Sequence, residues 1–140
     1  MFDTLDISTS ALVAQRANLD TIAGNMANMH STRDANGAPN PYRRRIALFE
    51  PGNPAAGKNA QGVHVTGVVE DFKSDFRMVY DPNHPDAIKT GPLAGNVRFP
   101  NVDASTEMVN AMVAARTYEA NVTVMEITKT LAAASLRLLA

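Results

Sequence analysis

The sequence has no cysteine, which removes disulfides, thiolate zinc sites and cysteine nucleophiles together. It also lacks a surplus of either charge. Thirteen Lys and Arg stand against fourteen Asp and Glu, for a formal charge of −1, so no global field draws the chain to nucleic acid or to an anionic membrane. The opening MFDTLDISTSAL has no basic stretch followed by an apolar run, and it carries Asp3 and Asp6; it does not read as a cleavable signal. Nowhere is there the uninterrupted run of roughly 20 apolar residues that a membrane span needs. The most apolar region is broken by Glu126, Lys129 and Arg137. Gly-x-Ser-x-Gly, phosphate-loop and dinucleotide fingerprints are missing too, so no nucleophile, cofactor or metal ligand is assigned. At 140 residues there is room for one compact domain and not for two substantial ones.

What is present is helical at both ends. Leu5, Leu12, Leu19 and Met26 recur at intervals of seven, with Ile22 beside the line, which predicts a helix from about Leu5 to Asn28 with Asp3 and Asp6 at its positive end. The pattern then decays into MHSTRDANGAPNP, a run of turn formers. A second helix is predicted from Ala104, capped by Asp103 and with Glu107 near its positive end, running without proline or glycine to the C-terminus. At 1.5 Å per residue it reaches about 50 Å, beyond the diameter of a compact domain of this size. Met108, Met112, Ala115, Tyr118, Val122, Met125 and Leu136 follow helical spacing, with Val113, Val124, Ile127 and Leu131 widening the face. So broad and alanine-rich a stripe suits several neighbouring helices.

The middle holds nearly all the glycine and proline and reads as a small β insert. Strands are expected at Arg45–Glu50, Gly62–Phe72 (with a bulge at Val68 and Val69) and Phe76–Tyr80. PGNPAAGKNAQG and DPNHPDAIKTGPLAGN read as loops. The fold class is therefore α+β: residues 1–30 a helix, 31–103 a small irregular β insert, 104–140 a long helix, with the two helices pairing as a coiled-coil-like layer. One helix pair buries little, while each ordered residue costs roughly 1 to 2 kcal/mol of backbone entropy. The apolar stripes are accordingly expected to be covered by partners, and Leu12→Asp or Leu19→Asp to block assembly.

Several constellations admit two readings. Asp81, His84 and Asp86 in YDPNHPDA have the residue types of a metal or acid/base site, but two prolines make a rigid surface turn the favoured explanation. Arg43, Arg44 and Arg45 form a short basic run that enters a strand without interleaved aromatics, and a solvated or subunit-facing strand is favoured over a phosphate site. Asn25, Asn28 and Asn121 interrupt helical stripes. Buried amides of this kind set register; exposure or capping is the alternative. Gly24 marks either a close helix crossing or tolerated fraying.

Three separated segments resemble one family. SALVAQRANLDTIAGNMANMHST (10–32) is similar to the N-terminal signature of the flagellar axial proteins, the rod and hook group, including the Asn-x-Ala-Asn element at Asn25 to Asn28. EMVNAMVAARTYEANVTVMEITKTL (107–131) is similar to the group's terminal helix, with Arg116, Tyr118, Glu119, Ala120 and Asn121 in its Arg-x-Tyr-Glu-Ala-Asn order. PYRRR and GVHVTGVVEDFKSDFRMVYDPNHPDA narrow the likeness to the proximal-rod subtype. Departures are Gly24 for a common asparagine, Asp75 for a usual proline, and an altered GPLAGNVRFPNV.

The resemblance implies a non-enzymatic structural subunit of the basal body, in the periplasmic space, exported through the type III apparatus without a cleaved signal. Its terminal helices would form an inner coiled-coil layer. Its partners would be other copies, other rod proteins, and ring and adaptor proteins, stacked helically into a hollow shaft that transmits torque. A soluble adaptor or export chaperone binding one partner helix, and a small hydrolase using Asp81, His84 and Asp86, are the competing readings.

Overall fold

The computed structural model describes residues 2–52 and 61–139. Most of the PGNPAAGKNAQG connection, residues 53–60, lies outside the described residues. A stretch free of proline, with apolar residues at helical spacing, gives α1 (Phe2–Ala27). It ends where the Asn28 side-chain amide donates to the Gly24 carbonyl at 2.9 Å and the Ser31 hydroxyl donates to Asn28 Oδ1 at 3.2 Å, which together close the last turn. Four short strands follow, β1 (Arg45–Pro51), β2 (Val63–Glu70), β3 (Arg77–Tyr80) and β4 (Asn96–Phe99), and then α2 (Ala104–Leu139). Asp103 caps α2: its Oδ2 accepts from the Thr106 N–H at 2.8 Å and the Thr106 hydroxyl at 2.6 Å. The Thr106 hydroxyl, chiefly, holds the Asp103 carboxyl below the ordinary carboxylate range.

The insert is two antiparallel pairs, β1 with β2 and β3 with β4. Two strand expectations need correction. The register shift lies where Leu48 faces Gly67 and Phe49 faces Val65, so the extra residue is Thr66 and not Val68 or Val69. β4 falls in a stretch read as loop and approach to the last helix. Four residues with one fully buried side chain, Val97, are too short to show alternation. Phe99 closes this unit onto the end of α1: its ring meets those of His30 and His84 edge-on at 6.4 and 6.1 Å.

The helices run antiparallel. Asn25 near the end of α1 touches Glu107 near the start of α2, while Gln15 and Asn18 share a cleft with Ala114 and Thr117 further along. Burial concentrates on small side chains, with Ser8, Ala14 and Ala114 at 4% exposure or less, which lets the helix axes approach. α2 is ten residues longer than α1, 36 against 26, and its last turns extend past α1; beyond Thr128 only Ala132 is even half-buried among the residues with described side chains. Thr117, Thr123 and Thr128 each return their hydroxyl to the carbonyl four residues back at 2.8 to 3.0 Å. The molecule exposes 9627 Å², against about 7,000 Å² for a compact monomer of this size. It is an open structure with a thin core.

Candidate assembly surface and the polar junction behind it

Where α1, β1 and α2 meet, the interior is polar. Asn25, 1% exposed, uses its whole amide. Its Nδ2 donates to the Arg45 carbonyl at 2.8 Å and to Glu107 Oε2 at 3.0 Å. Its Oδ1 accepts from the Arg45 N–H at 2.8 Å and the Tyr42 hydroxyl at 3.0 Å. Burial pushes the Tyr42 phenol up, which keeps it a donor. Glu107 is fully buried, and its Oε1 accepts from Arg44 Nε at 2.7 Å. Asn25 thus has the cross-element role of a register-setting amide. Asn28 and Asn121 bond within their own helices, Asn121 donating to the Thr117 carbonyl at 2.9 Å.

The basic run divides three ways, which corrects its reading as a solvated or subunit-facing strand. Arg44 pairs with Glu107 inside the molecule. Arg43 lies between the Phe72 and Phe76 rings, 4.8 and 4.3 Å from their centroids, and donates to the Asp71 carbonyl at 3.1 Å. Arg45 alone stays exposed, 5.5 Å over Tyr42. The aromatics that single out Arg43 stand some thirty residues away in sequence, so local inspection missed them.

The Asp81–His84–Asp86 loop is a structural fastening. Asp86 receives Arg33 Nε at 2.8 and 3.0 Å and the Thr32 hydroxyl at 2.8 Å; Arg33, first among these, holds its carboxyl below the ordinary range. The Asp86 N–H donates to His84 Nδ1 at 3.1 Å, so that nitrogen is an acceptor, and its 3.9 Å approach to Asp86 Oδ2 is not an ion pair. Among the described residues no three His, Asp or Glu are grouped to hold a metal ion. Gly24 is also resolved: a Cβ there would meet only the Tyr42 hydroxyl, at 4.0 Å, so no close helix crossing demands glycine.

The predicted packing residues divide between an inner face and an outer one. Ile22 and Asn25 are buried, while Leu5, Leu12, Leu19, Met26, Asn28, Ala115, Asn121, Val122 and Met125 are half-buried. Met108, Met112, Tyr118 and Leu136 are exposed, Leu136 at 68%. Sequence reasoning missed the partnership of Glu107 with Arg44, because an acid in the first turn of a helix reads alike whether solvated or buried. It also merged a second surface into one wide stripe and left out Val109. Val109, Val113, Val124, Ile127 and Leu131 lie on the side of α2 turned away from buried Glu107 and Ala114, and all five are exposed.

The chain is thus a long helix with exposed apolar side chains on two faces, braced by a small β insert. Comparisons agree first on the class. Residues 93–138, which span β4, the Asp103 cap and nearly all of α2, match the family model "Flagellar basal body rod FlgEFG protein C-terminal". Across almost its whole length the chain is also similar to proteins named "Flagellar basal-body rod protein FlgC". It is 40% identical to that of Bacillus subtilis (strain 168), with 91% of each chain covered. It is 36% identical to that of Borreliella burgdorferi, over 99% of this chain and 97% of the relative, and 39% identical to that of Escherichia coli O157:H7, over 94% and 92%. The chain belongs to the FlgC family of flagellar basal-body rod proteins.

Proposed function

We propose that this chain is a structural subunit of the flagellar basal-body rod, polymerising helically with its own copies and other rod proteins into a hollow shaft that carries torque and passes exported subunits. Family membership supports the rod assignment and the basal-body location. The observation that carries the mechanism is one-sided burial. α1 covers one face of α2, yet Met108, Val109, Met112, Val113, Ile127, Leu131 and Leu136 each remain more than half exposed. Burying such a side chain completely from full exposure gains roughly 1.5 to 3 kcal/mol, and somewhat more than half of that is still to be gained at each of these positions. Neighbouring helices closing over both faces supply that burial, and head-to-tail contacts that do not close generate a filament. The insert then faces outward, where ring and adaptor proteins engage it.

Leu12 and Leu19 are half-buried, so Leu12→Asp or Leu19→Asp confounds folding with assembly. Ile127→Asp and Leu131→Asp are the cleaner tests. Each variant is expected to disappear from isolated basal bodies and to abolish motility while the soluble chain keeps its circular dichroism. Normal incorporation of both would overturn the proposal. Defined small complexes by light scattering, without stacking, would instead favour an adaptor.

A further inference from the structure

We propose that Arg44 is a latch through which the folded β insert licenses closure of the two terminal helices. The inference is independent of the rod reading, since it rests on contacts within one chain. Glu107 sits where α1 and α2 meet, with no exposure. Its countercharge comes from neither helix. Arg44 enters from the insert, with Nε 2.7 Å from Glu107 Oε1.

Arg44 is itself held by insert groups. Its N–H donates to Asn101 Oδ1 at 2.8 Å, and its carbonyl accepts from the Asp71 N–H at 2.8 Å. Asn101 Nδ2 in turn donates to the Asp71 and Ser74 carbonyls at 3.1 and 3.2 Å. The guanidinium is therefore positioned only when the turn after β2 and the segment before α2 have formed. Until then, closing the helices would trap a carboxylate bonded to Asn25 alone, and an unpaired buried charge strongly opposes closure.

The pair is asymmetric. The Glu107 side chain has 0% exposure and that of Arg44 has 22%, so an unpaired Arg44 can reach water and an unpaired Glu107 cannot. Losing Arg44 should open the helices. Losing Glu107 should not, and should also make closure independent of the insert.

The test uses the full chain, whose lack of cysteine allows spin labels at Asp20→Cys and Ala120→Cys, both exposed positions on α1 and α2. Pulsed electron resonance reads the distance between helices. Arg44→Ala is expected to lower the closed-to-open ratio roughly a hundredfold, and Arg44→Ala with Glu107→Leu to restore a single short distance. Asn101→Ala, which removes the hold on the Arg44 backbone together with the bonds to the Asp71 and Ser74 carbonyls, should lengthen the distance with Glu107 present and leave it unchanged in the Glu107→Leu background. If Arg44→Ala fails to fold, the double variant must recover it. A closed Arg44→Ala chain, a double variant as open as the single, or an Asn101→Ala effect equal in both backgrounds would each overturn the latch.

Discussion

The two ends of α2 are built on opposite principles. At its start, Glu107, Asn25, Arg44 and Tyr42 leave no amide or carboxylate oxygen unpartnered, and all four side chains are buried or half-buried. At its far end, Leu131 and Leu136 are 59% and 68% exposed, past the reach of α1. Directional hydrogen bonds fix one geometry, whereas apolar contact is non-directional and scales with area. The near end therefore specifies how this chain folds on itself, and the far end leaves apolar surface uncovered.

Substitutions can break that contrast. The largest effect on stability is expected from Asn25→Ala, which strands the Arg45 N–H and the Tyr42 hydroxyl and costs about 3 kcal/mol in a urea titration. Next is Gly62→Ala. Gly62 has φ +131°, and a Cβ there would stand 2.6 Å from Ser10 Oγ, the acceptor of the Val63 N–H; a loss of about 2 kcal/mol should appear in the same titration. Gly24→Ala should act in the opposite sense, raising stability by about 1 kcal/mol, because the helix gains propensity without a clash. At the far end, Ile127→Asp should change the lone chain by no more than about 0.5 kcal/mol, since Ile127 is 53% exposed.

The smallest effect concerns acid. Asp86 and Asp103 both have folded carboxyls held below their ordinary value. The unfolded chain therefore binds more protons just below pH 4 or so, and the stability these groups contribute is complete above that pH and fades as pH falls through their folded values. Asp86→Asn should flatten the acid limb of a urea midpoint against pH curve and leave the neutral region level.

The parts of the fold governed by local periodicity were legible in the sequence. Leu5 through Met26 and Met108 through Leu136 announced two helices, Asp103 announced a cap, and β1 to β3 were visible as short apolar stretches, β2 with a β-branched run. What was not legible depended on contacts distant in sequence. Arg44 and Glu107 stand 63 residues apart, and no local pattern separates them from solvated charges. β4 was hidden because its identity comes from pairing with β3. The Thr66 bulge was misplaced because the register is set by both strands. In the candidate site, amide spacing suggested Asn25 as a register residue, but the far face around Val109 and Val113 was merged into one wide stripe, since hydrophobicity alone does not say which flank α1 will occupy.

The threonines of α2 carry a consequence for whatever lies against it. A hydroxyl turned back to its own helix, as in Thr123 and Thr128, has already spent its donor hydrogen, and what it presents outward is chiefly a methyl group. Beside Val124 and Ile127 such residues behave as short valines, so this stretch of α2 is more apolar than its residue letters imply, and a neighbour packed on it would need no polar group to meet them.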